Sequence, residues 1–307
     1  MEIFKVMKKI FRTTAISLAA MCIMCTSAFA HDAYIDNMNY VIHAGGEVDG
    51  VSGTNSLEAL KNSFLYGYRF MEMDFNFTSD EKLVCIHDWD LDYCLTNKRV
   101  GEAMSYNDFV NAKVEGKYTT VTADSLAKWL SGKTNTYIIT DIKEDNIKGL
   151  KYLSDNYCWI CDKIIPQIYN ENEYEQVKKL GFNNIIYTVY KLNFKDKTDT
   201  DEIVRFAKTH DLAAIVFPDE LATSDYVAKL KKSGTKLLVH TVNDESELER
   251  LKSIGVDGIY SDVFKENLKK PEKNTDKKDE AAAYNEVKYQ NIISRTDNNT
   301  NSSDNEN

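Results

Sequence analysis

Positive charge is in short supply in this sequence. Its 38 Lys and Arg residues face 48 Asp and Glu, a formal net charge of −10. A nucleic-acid partner needs a basic footprint, so this balance argues against one. Cysteine is also sparse, and beyond residue 30 only Cys85, Cys94, Cys158 and Cys161 remain. Cys158-Trp159-Ile160-Cys161 has no second C-x-x-C beside it in that stretch, which excludes a zinc site of that kind. It also lacks the helix-start context of a redox motif. It reads either as a local disulfide or as ordinary thiols. Long apolar runs are missing too. The longest, Thr14 to Cys25, is too short for a comfortable membrane span. No internal repeat is visible, which removes solenoids and propellers.

Both ends read as expendable to the fold. Lys5, Lys8, Lys9 and Arg12 form a basic segment, the small-apolar run follows, and Ala28-Phe29-Ala30 forms an A-x-A cleavage signal. Residues 1–30 are therefore expected to be a bacterial-type signal peptide, with the protein secreted or held in the cell envelope. Neither Cys22 nor Cys25 follows the small residue of a lipoprotein signal, so no stable membrane insertion is expected after cleavage. From residue 269 onward Lys, Asp, Glu, Asn, Ser and Thr dominate. Such a segment cannot bury enough apolar surface to offset its chain entropy, and 269–307 reads as a disordered polar tail. The folded part is then 31–268.

The most informative stretch is FMEMDFNFTSDEKLVCIHDW, residues 70–89. Two β-prone runs flank Thr78-Ser79-Asp80-Glu81, a turn candidate. A two-residue loop at Ser79-Asp80 pairs Thr78 with Glu81 and puts Glu72 opposite His87. Asp74 shares that face by the two-residue period of a strand. Two carboxylates and an imidazole are thus expected to converge. Hard oxygen ligands suit Mg²⁺ or Ca²⁺, and a histidine moves protons near neutral pH. A second histidine, His43, ends the run Tyr40-Val41-Ile42 and precedes Ala44-Gly45-Gly46. Glycines there let the backbone turn sharply or approach a ligand.

In order along the chain, His43-Ala44-Gly45, Thr54-Asn55-Ser56, Glu72-Met73-Asp74 and Val84-Cys85-Ile86-His87-Asp88 resemble the glycerophosphodiester phosphodiesterase family. Thr140-Asp141-Ile142-Lys143, Val239 to Asn243 and Gly255 to Asp262 extend the resemblance over about residues 38–265. It implies a metal held by Glu72, Asp74 and Asp141, with Lys143 on the substrate phosphate. It also implies His43 and His87 as acid and base, without saying which is which. Three departures mark a divergent bacterial subgroup. Ala44 stands where the family has a phosphate-binding arginine, Thr54 where it has glutamate, and Asp141 where it has glutamate as third metal ligand. The related phospholipase D toxins also carry Asp before Lys at that strand, which keeps lipid head groups open as substrates.

The order of elements supports the same fold. Candidate strands are 39–43, 70–76, 83–87, 137–143, 163–168, 184–189, 212–217, 236–241 and 256–260. Amphipathic helix candidates include 171–180, 221–232 and 244–254, the last capped by Asp244 with Glu247 three residues on. The step from 76 to 83 is too short for a parallel crossover, so 83–87 returns as a hairpin after strand 2. Eight parallel strands remain, an α/β single domain of TIM (β/α)8 type. The stretch 92–117 is expected to be a loop with a short helix. Catalytic groups of such barrels sit at the carboxyl ends of strands. His43, Glu72, Asp74, Asp141, Lys143, His240 and Asn243 all fall there. Trp89 and Tyr93 lie near the same face, either lining a pocket or packing. His31 and His210 receive no role.

The expected activity is metal-dependent hydrolysis of glycerophosphodiesters to glycerol phosphate and an alcohol. A phospholipase-like enzyme or lyase on lipid head groups or envelope glycerol-phosphate polymers is one alternative. A secreted, non-catalytic binding protein on the same barrel is another. The expected cofactor is one Ca²⁺ or Mg²⁺, and the partner a small or lipid-derived phosphodiester. Oligomeric state is left open.

Overall fold

The computed structural model describes residues 34–89 and 102–268. The expected signal peptide, the polar tail, Tyr93 and Cys94 lie outside the described residues. Within them twelve strands form, and eight close into a parallel barrel. These are β1 (Tyr40–Ile42), β2 (Phe70–Phe77), β7 (Tyr137–Ile142), β8 (Ile164–Ile168), β9 (Ile185–Thr188), β10 (Leu212–Pro218), β11 (Leu237–His240) and β12 (Gly258–Ser261). The ring closes because β1 pairs with β12 on one side, Val41 beside Tyr260, and with β2 on the other, Ile42 beside Met71. Helices cross between successive strands. The expected TIM barrel is therefore the observed one, with strand limits within about two residues of the sequence reading.

Period-two alternation sorts the side chains. Val41, Phe70, Tyr137, Ile139, Ile165, Ile186, Val216, Leu238 and Tyr260 form one buried cluster inside the barrel. Their strand neighbours, among them Ile42, Met71, Met73, Phe75, Ile138, Ile142, Leu237 and Val239, join the larger cluster under the helices. A short turn, Ile35–Asn37, joins the inner cluster from below, with Tyr34 stacked on Tyr137 at 3.8 Å between ring centroids. The interior is apolar at this end and turns polar toward the carboxyl ends of the strands.

The β2 to β7 connection carries an insertion. β3 (Leu83–Cys85) pairs antiparallel with β2, and β6 (Val121–Thr122) pairs with β3. The hairpin is present, but its register differs from the expected one. Phe75 faces Cys85 and Phe77 faces Leu83, so the pairing is shifted by one residue. The loop holds three residues and not two. Thr78 N–H bonds the Lys82 carbonyl at 2.9 Å, and Glu81 takes the left-handed conformation at φ 59°. A one-residue shift moves a side chain to the other face of the sheet, so the pairing does not set Glu72 opposite His87. Beyond β3, the helix Tyr106–Asn111 packs on this hairpin. Phe109 meets Trp89 edge-on, and Trp89 donates its Nε1–H to the Phe77 carbonyl. Trp89 therefore packs. The remaining pair, β4 (Lys113–Val114) and β5 (Tyr118–Thr119), is a small separate hairpin whose first strand falls inside 92–117, the stretch expected to be a loop with a short helix. Among the described residues no helix is long and apolar enough to cross a membrane. Cys85, Cys158 and Cys161 are free thiols.

One turn places the first catalytic candidate, His43. After β1 the chain makes a tight turn, His43–Gly45, ending on Gly46 at φ 96° and ψ −169°. That conformation is open essentially to glycine alone. A Cβ on Gly46 would also strike Ser63 Oγ and come within 2.6 Å of Ile42 Cγ2. Gly46→Ala is therefore expected to destabilise the protein by about 3 kcal/mol, the sum of backbone and overpacking costs. Urea unfolding followed by circular dichroism measures this, and an unchanged midpoint would contradict the account.

Candidate active site

The last inward positions of the strands meet at the barrel mouth. β2 supplies Glu72 and Asp74, each about 1 % exposed. The parallel register sets Asp141 of β7 directly beside Asp74. β1 delivers His43 just past its end. One ligand atom from each of His43, Glu72 and Asp74 lies within 4.8 Å of the others, a cluster able to hold a metal ion.

Each buried carboxylate is held by a different piece of chain. Glu72 Oε2 accepts the backbone N–H of Ala44 at 2.8 Å, and Ala44 itself is left-handed, φ 48°. Asn55 clamps Asp74 from both sides. Its Nδ2 donates to Asp74 Oδ2 at 2.8 Å, and its Oδ1 accepts the Asp74 N–H at 3.0 Å. Ser56, the next residue, caps the helix Leu57–Leu65 by accepting the Ala59 N–H. Lys143 Nζ bridges the two strands, 2.6 Å from Asp74 Oδ1 and 2.7 Å from Asp141 Oδ2. Asp141 is further gripped by Tyr169 and Tyr190. The Tyr190 hydroxyl lies 2.8 Å from both carboxylate oxygens, and Tyr169 donates to Oδ1.

The electrostatics follow from burial and these partners. Burial, with Asp74 alongside, pushes the Glu72 carboxyl up to about 8. Burial also works against ionisation of Asp141, but Lys143 outweighs it and holds the carboxyl down to about 2. His43 sits with Nδ1 2.6 Å from Asp262 Oδ1 and Nε2 3.7 Å from Glu72 Oε2. Burial would lower its pKa, yet Glu72 and Asp262 prevail and raise it to about 10. Asp262 is itself oriented by Asn243, whose Nδ2 donates at 2.6 Å and whose Oδ1 accepts the Asp262 N–H. His240 is the opposite case. Burial, reinforced by His43 at 6.4 Å between ring centroids, lowers it to about 4. Two imidazoles at one mouth are thus driven to opposite protonation states.

The donor set suits a hard cation. Glu72 Oε1 is buried with no hydrogen-bond partner among the described residues, and a buried carboxylate oxygen in that condition is costly unless a positive ligand meets it. Asp74 and Asp141 converge on one point, as Lys143 between them demonstrates. Carboxylate oxygens are the ligands that Ca²⁺ and Mg²⁺ take.

His43, Glu72, Asp74, Asp141 and Lys143 are thereby brought together, with His240 and Asn243 beside them. His87 stands apart from the His43, Glu72 and Asp74 cluster. It follows the end of β3, its side chain is 55 % exposed, and its Nδ1 lies 2.7 Å from Asp88 Oδ2. The sequence reading missed Asn55 as a clamp, Asp262 as the partner of His43, and Tyr169, Tyr190 and Lys191 around Asp141. Asn55 and Asp262 fell inside noted motifs. The other three carried no signal, because tyrosine or lysine after a strand is ordinary.

A closed eight-stranded barrel with acids, a lysine and imidazoles at its carboxyl-terminal mouth defines a TIM-barrel enzyme. The chain matches the model of the glycerophosphoryl diester phosphodiesterase family over residues 43–266 and belongs to that family. It is accordingly a phosphoric diester hydrolase. A glycerophosphodiester phosphodiesterase of Bacillus subtilis is 26% identical over 223 residues, covering 64% of this chain and 75% of the relative. One from Caldanaerobacter subterraneus is 22% identical, covering 68% and 88%. Among solved structures, a glycerophosphodiester phosphodiesterase of Parabacteroides distasonis superposes with a TM-score of 0.58 at 18% identity, covering 75% of this chain and 94% of its own. An Oleispira antarctica phosphodiesterase in complex with its product sn-glycerol-3-phosphate gives 0.57 at 16%, covering 73% and 92%. Those two likenesses establish the fold.

The charge on His43 is tied to Asp262, and Asp262→Asn tests this directly. The imidazole titration of His43, followed by NMR, is expected to move down by about one unit or more, since an opposite charge in contact is worth that much. An unmoved titration would assign the charge to Glu72 alone.

Proposed function

We propose that this protein hydrolyses glycerophosphodiesters to glycerol phosphate and an alcohol with the aid of one Ca²⁺ or Mg²⁺. The observation that carries the reading is the pair of buried carboxylates, Glu72 and Asp74, set beside His43 and Lys143 at the barrel mouth. Glu72, Asp74 and Asp141 would hold the ion, which supplies Lewis-acid polarisation of a phosphoryl oxygen. Lys143 offsets the acids and faces negative charge on the transferring phosphoryl group. His43 and His87 divide the acid and base roles, one activating the nucleophile and the other protonating the leaving alkoxide. Asp262 and Asn243 fix the His43 ring, so that its Nε2 is the atom turned toward Glu72. Asp141 in place of glutamate, the feature shared with phospholipase D toxins, keeps lipid head groups open as a second class of diester. Secretion through residues 1–30 accords with their basic and apolar pattern.

The experiment is a phosphodiesterase assay of residues 31–307 on glycerophosphocholine, glycerophosphoethanolamine and lysophosphatidylcholine, with and without chelator. Turnover is expected to vanish in excess chelator and to return with Ca²⁺ or Mg²⁺. Full activity in chelator would remove the metal from the reading, and rescue by Zn²⁺ alone would contradict the hard-oxygen donor set. His43→Ala and His87→Ala should each lower kcat by about 10²-fold or more, the usual scale of acid-base groups. A His87 variant with near-normal turnover on the best substrate would take that residue out of the mechanism. That measurement matters most, because His87 is the member standing furthest into solvent.

A further inference from the structure

The mouth holds one cation more than the motifs supply. Lys191 follows β9, in a turn set by the Val189 N–H on the Val216 carbonyl and the Leu192 N–H on the Val189 carbonyl. Its Nζ lies 3.5 Å from the centroid of the Tyr169 ring and donates to the Ile142 carbonyl at 3.1 Å. It stops 3.9 Å from Asp141 Oδ1, whose carboxylate already accepts from Lys143, Tyr169 and Tyr190. The side chain is 31 % exposed, so the ammonium is partly desolvated yet reachable from solvent.

This is a costly way to hold an ammonium. The group has three N–H donors; it places one on a carbonyl and its charge over a ring, with the already occupied Asp141 carboxylate as a long ion-pair partner at 3.9 Å. Lys143 Nζ lies 2.7 Å from Oδ2 of the same Asp141 carboxylate, so the two ammoniums share one acid. Two ammoniums held near one another repel, and an anion reaching both relieves that repulsion. Meanwhile the position after His43 offers no cation, because Ala44 is buried and contributes its backbone N–H to Glu72. In the barrel order β9 stands four strands from β1 by either route, so Lys191 reaches in from the wall opposite Ala44.

We infer that Lys191 is a substrate-binding residue of this chain, which with Lys143 grips the non-bridging oxygens of the phosphodiester from the β7 to β9 wall. The charge that the family motif places after β1 is thereby relocated across the barrel. The inference rests on the phosphodiesterase reading above for its substrate, but phosphate recognition can be measured without turnover.

The test compares the wild type with Lys191→Gln, Lys191→Met and Lys191→Arg, each checked for an unchanged thermal midpoint. Lys191→Gln keeps a polar, N–H-donating stem, though a shorter one, and removes the charge. Expected is a fall in kcat/KM on the best glycerophosphodiester of about 10²-fold for Gln and Met, the scale for losing one charge-stabilising donor. Arg should retain most of the activity. Inorganic phosphate binding, measured by calorimetry on metal-loaded protein, should weaken in parallel for Gln and Met. Lys191→Gln with kcat/KM and phosphate affinity within twofold of wild type overturns the inference. So does a wild type that binds no phosphate. A wild type that binds phosphate through Lys191 but cleaves no glycerophosphodiester leaves the inference standing and removes the proposed substrate instead. If Lys191→Met unfolds, the Gln and Arg pair decides alone.

Discussion

Two carboxylates buried side by side on one strand are the constraint around which the mouth of this barrel is organised. Glu72 and Asp74 are both about 1 % exposed. An ionised carboxylate out of water costs several kcal/mol unless its oxygens are met by donors or cations. The chain meets that cost from four directions: a backbone N–H after β1, a side-chain amide before the first helix, a lysine after β7, and an imidazole at 3.7 Å. The left-handed conformations of Ala44 and Asn55, both at φ 48°, serve that arrangement. Ala44 turns its N–H onto Glu72, and Asn55 turns its amide onto Asp74. Position 44 therefore has a backbone task here that no side chain performs, which accounts for alanine holding it without disturbing the acids.

The same burial sorts the titrating groups. His43 lies between Glu72 and Asp262 and is driven toward its charged form, while His240 faces His43 and is driven toward its neutral form. Asp141 is kept ionised by Lys143, and the hydroxyls of Tyr169 and Tyr190 fill its remaining lone pairs. Groups of one chemical kind thus acquire different states within a single mouth, the condition for dividing acid and base work at one pH. The tyrosine pair does more than orient Asp141. With its oxygens so occupied, Asp141 draws Lys191 no nearer than 3.9 Å, and the Tyr169 ring supplies the cation with a resting place.

The hairpin after β2 shows where local reading is strong and where it fails. That residues 70–77 and 83–85 return antiparallel followed from a connection too short to cross over. Which residues face each other did not follow, because it depends on whether the loop holds two residues or three. Glu81 adopts a left-handed conformation that its side chain does not advertise, and this adds the third residue. The expected contact of Glu72 with His87 disappears with the register, while its contact with His43 comes from β1, through barrel closure. Likewise Asp244 was legible as a cap, and it does accept the Glu247 N–H at 3.0 Å. A cap is settled within four residues, whereas the grip of Asn243 on Asp262 spans two strands.

The sequence by itself determined the alternation of strands and helices, hence the barrel, and the motif positions that fall at strand ends. Periodicity and short connections are properties of neighbouring residues and survive without coordinates. Spacing along one strand also put Glu72 and Asp74 on a shared face, while His43, Asp141 and Lys143 were legible through their resemblance to the family's motifs. Only the tertiary structure decided what lies across the mouth from them. Closure of β1 between β12 and β2 brings Asp262 to His43, and the register of β7 on β2 sets Asp141 against Asp74. The turn after β9 carries Tyr190 and Lys191 to the same point from 49 residues away in sequence. No local pattern encodes a contact at that separation, because it depends on how eight strands close and not on what any one of them contains.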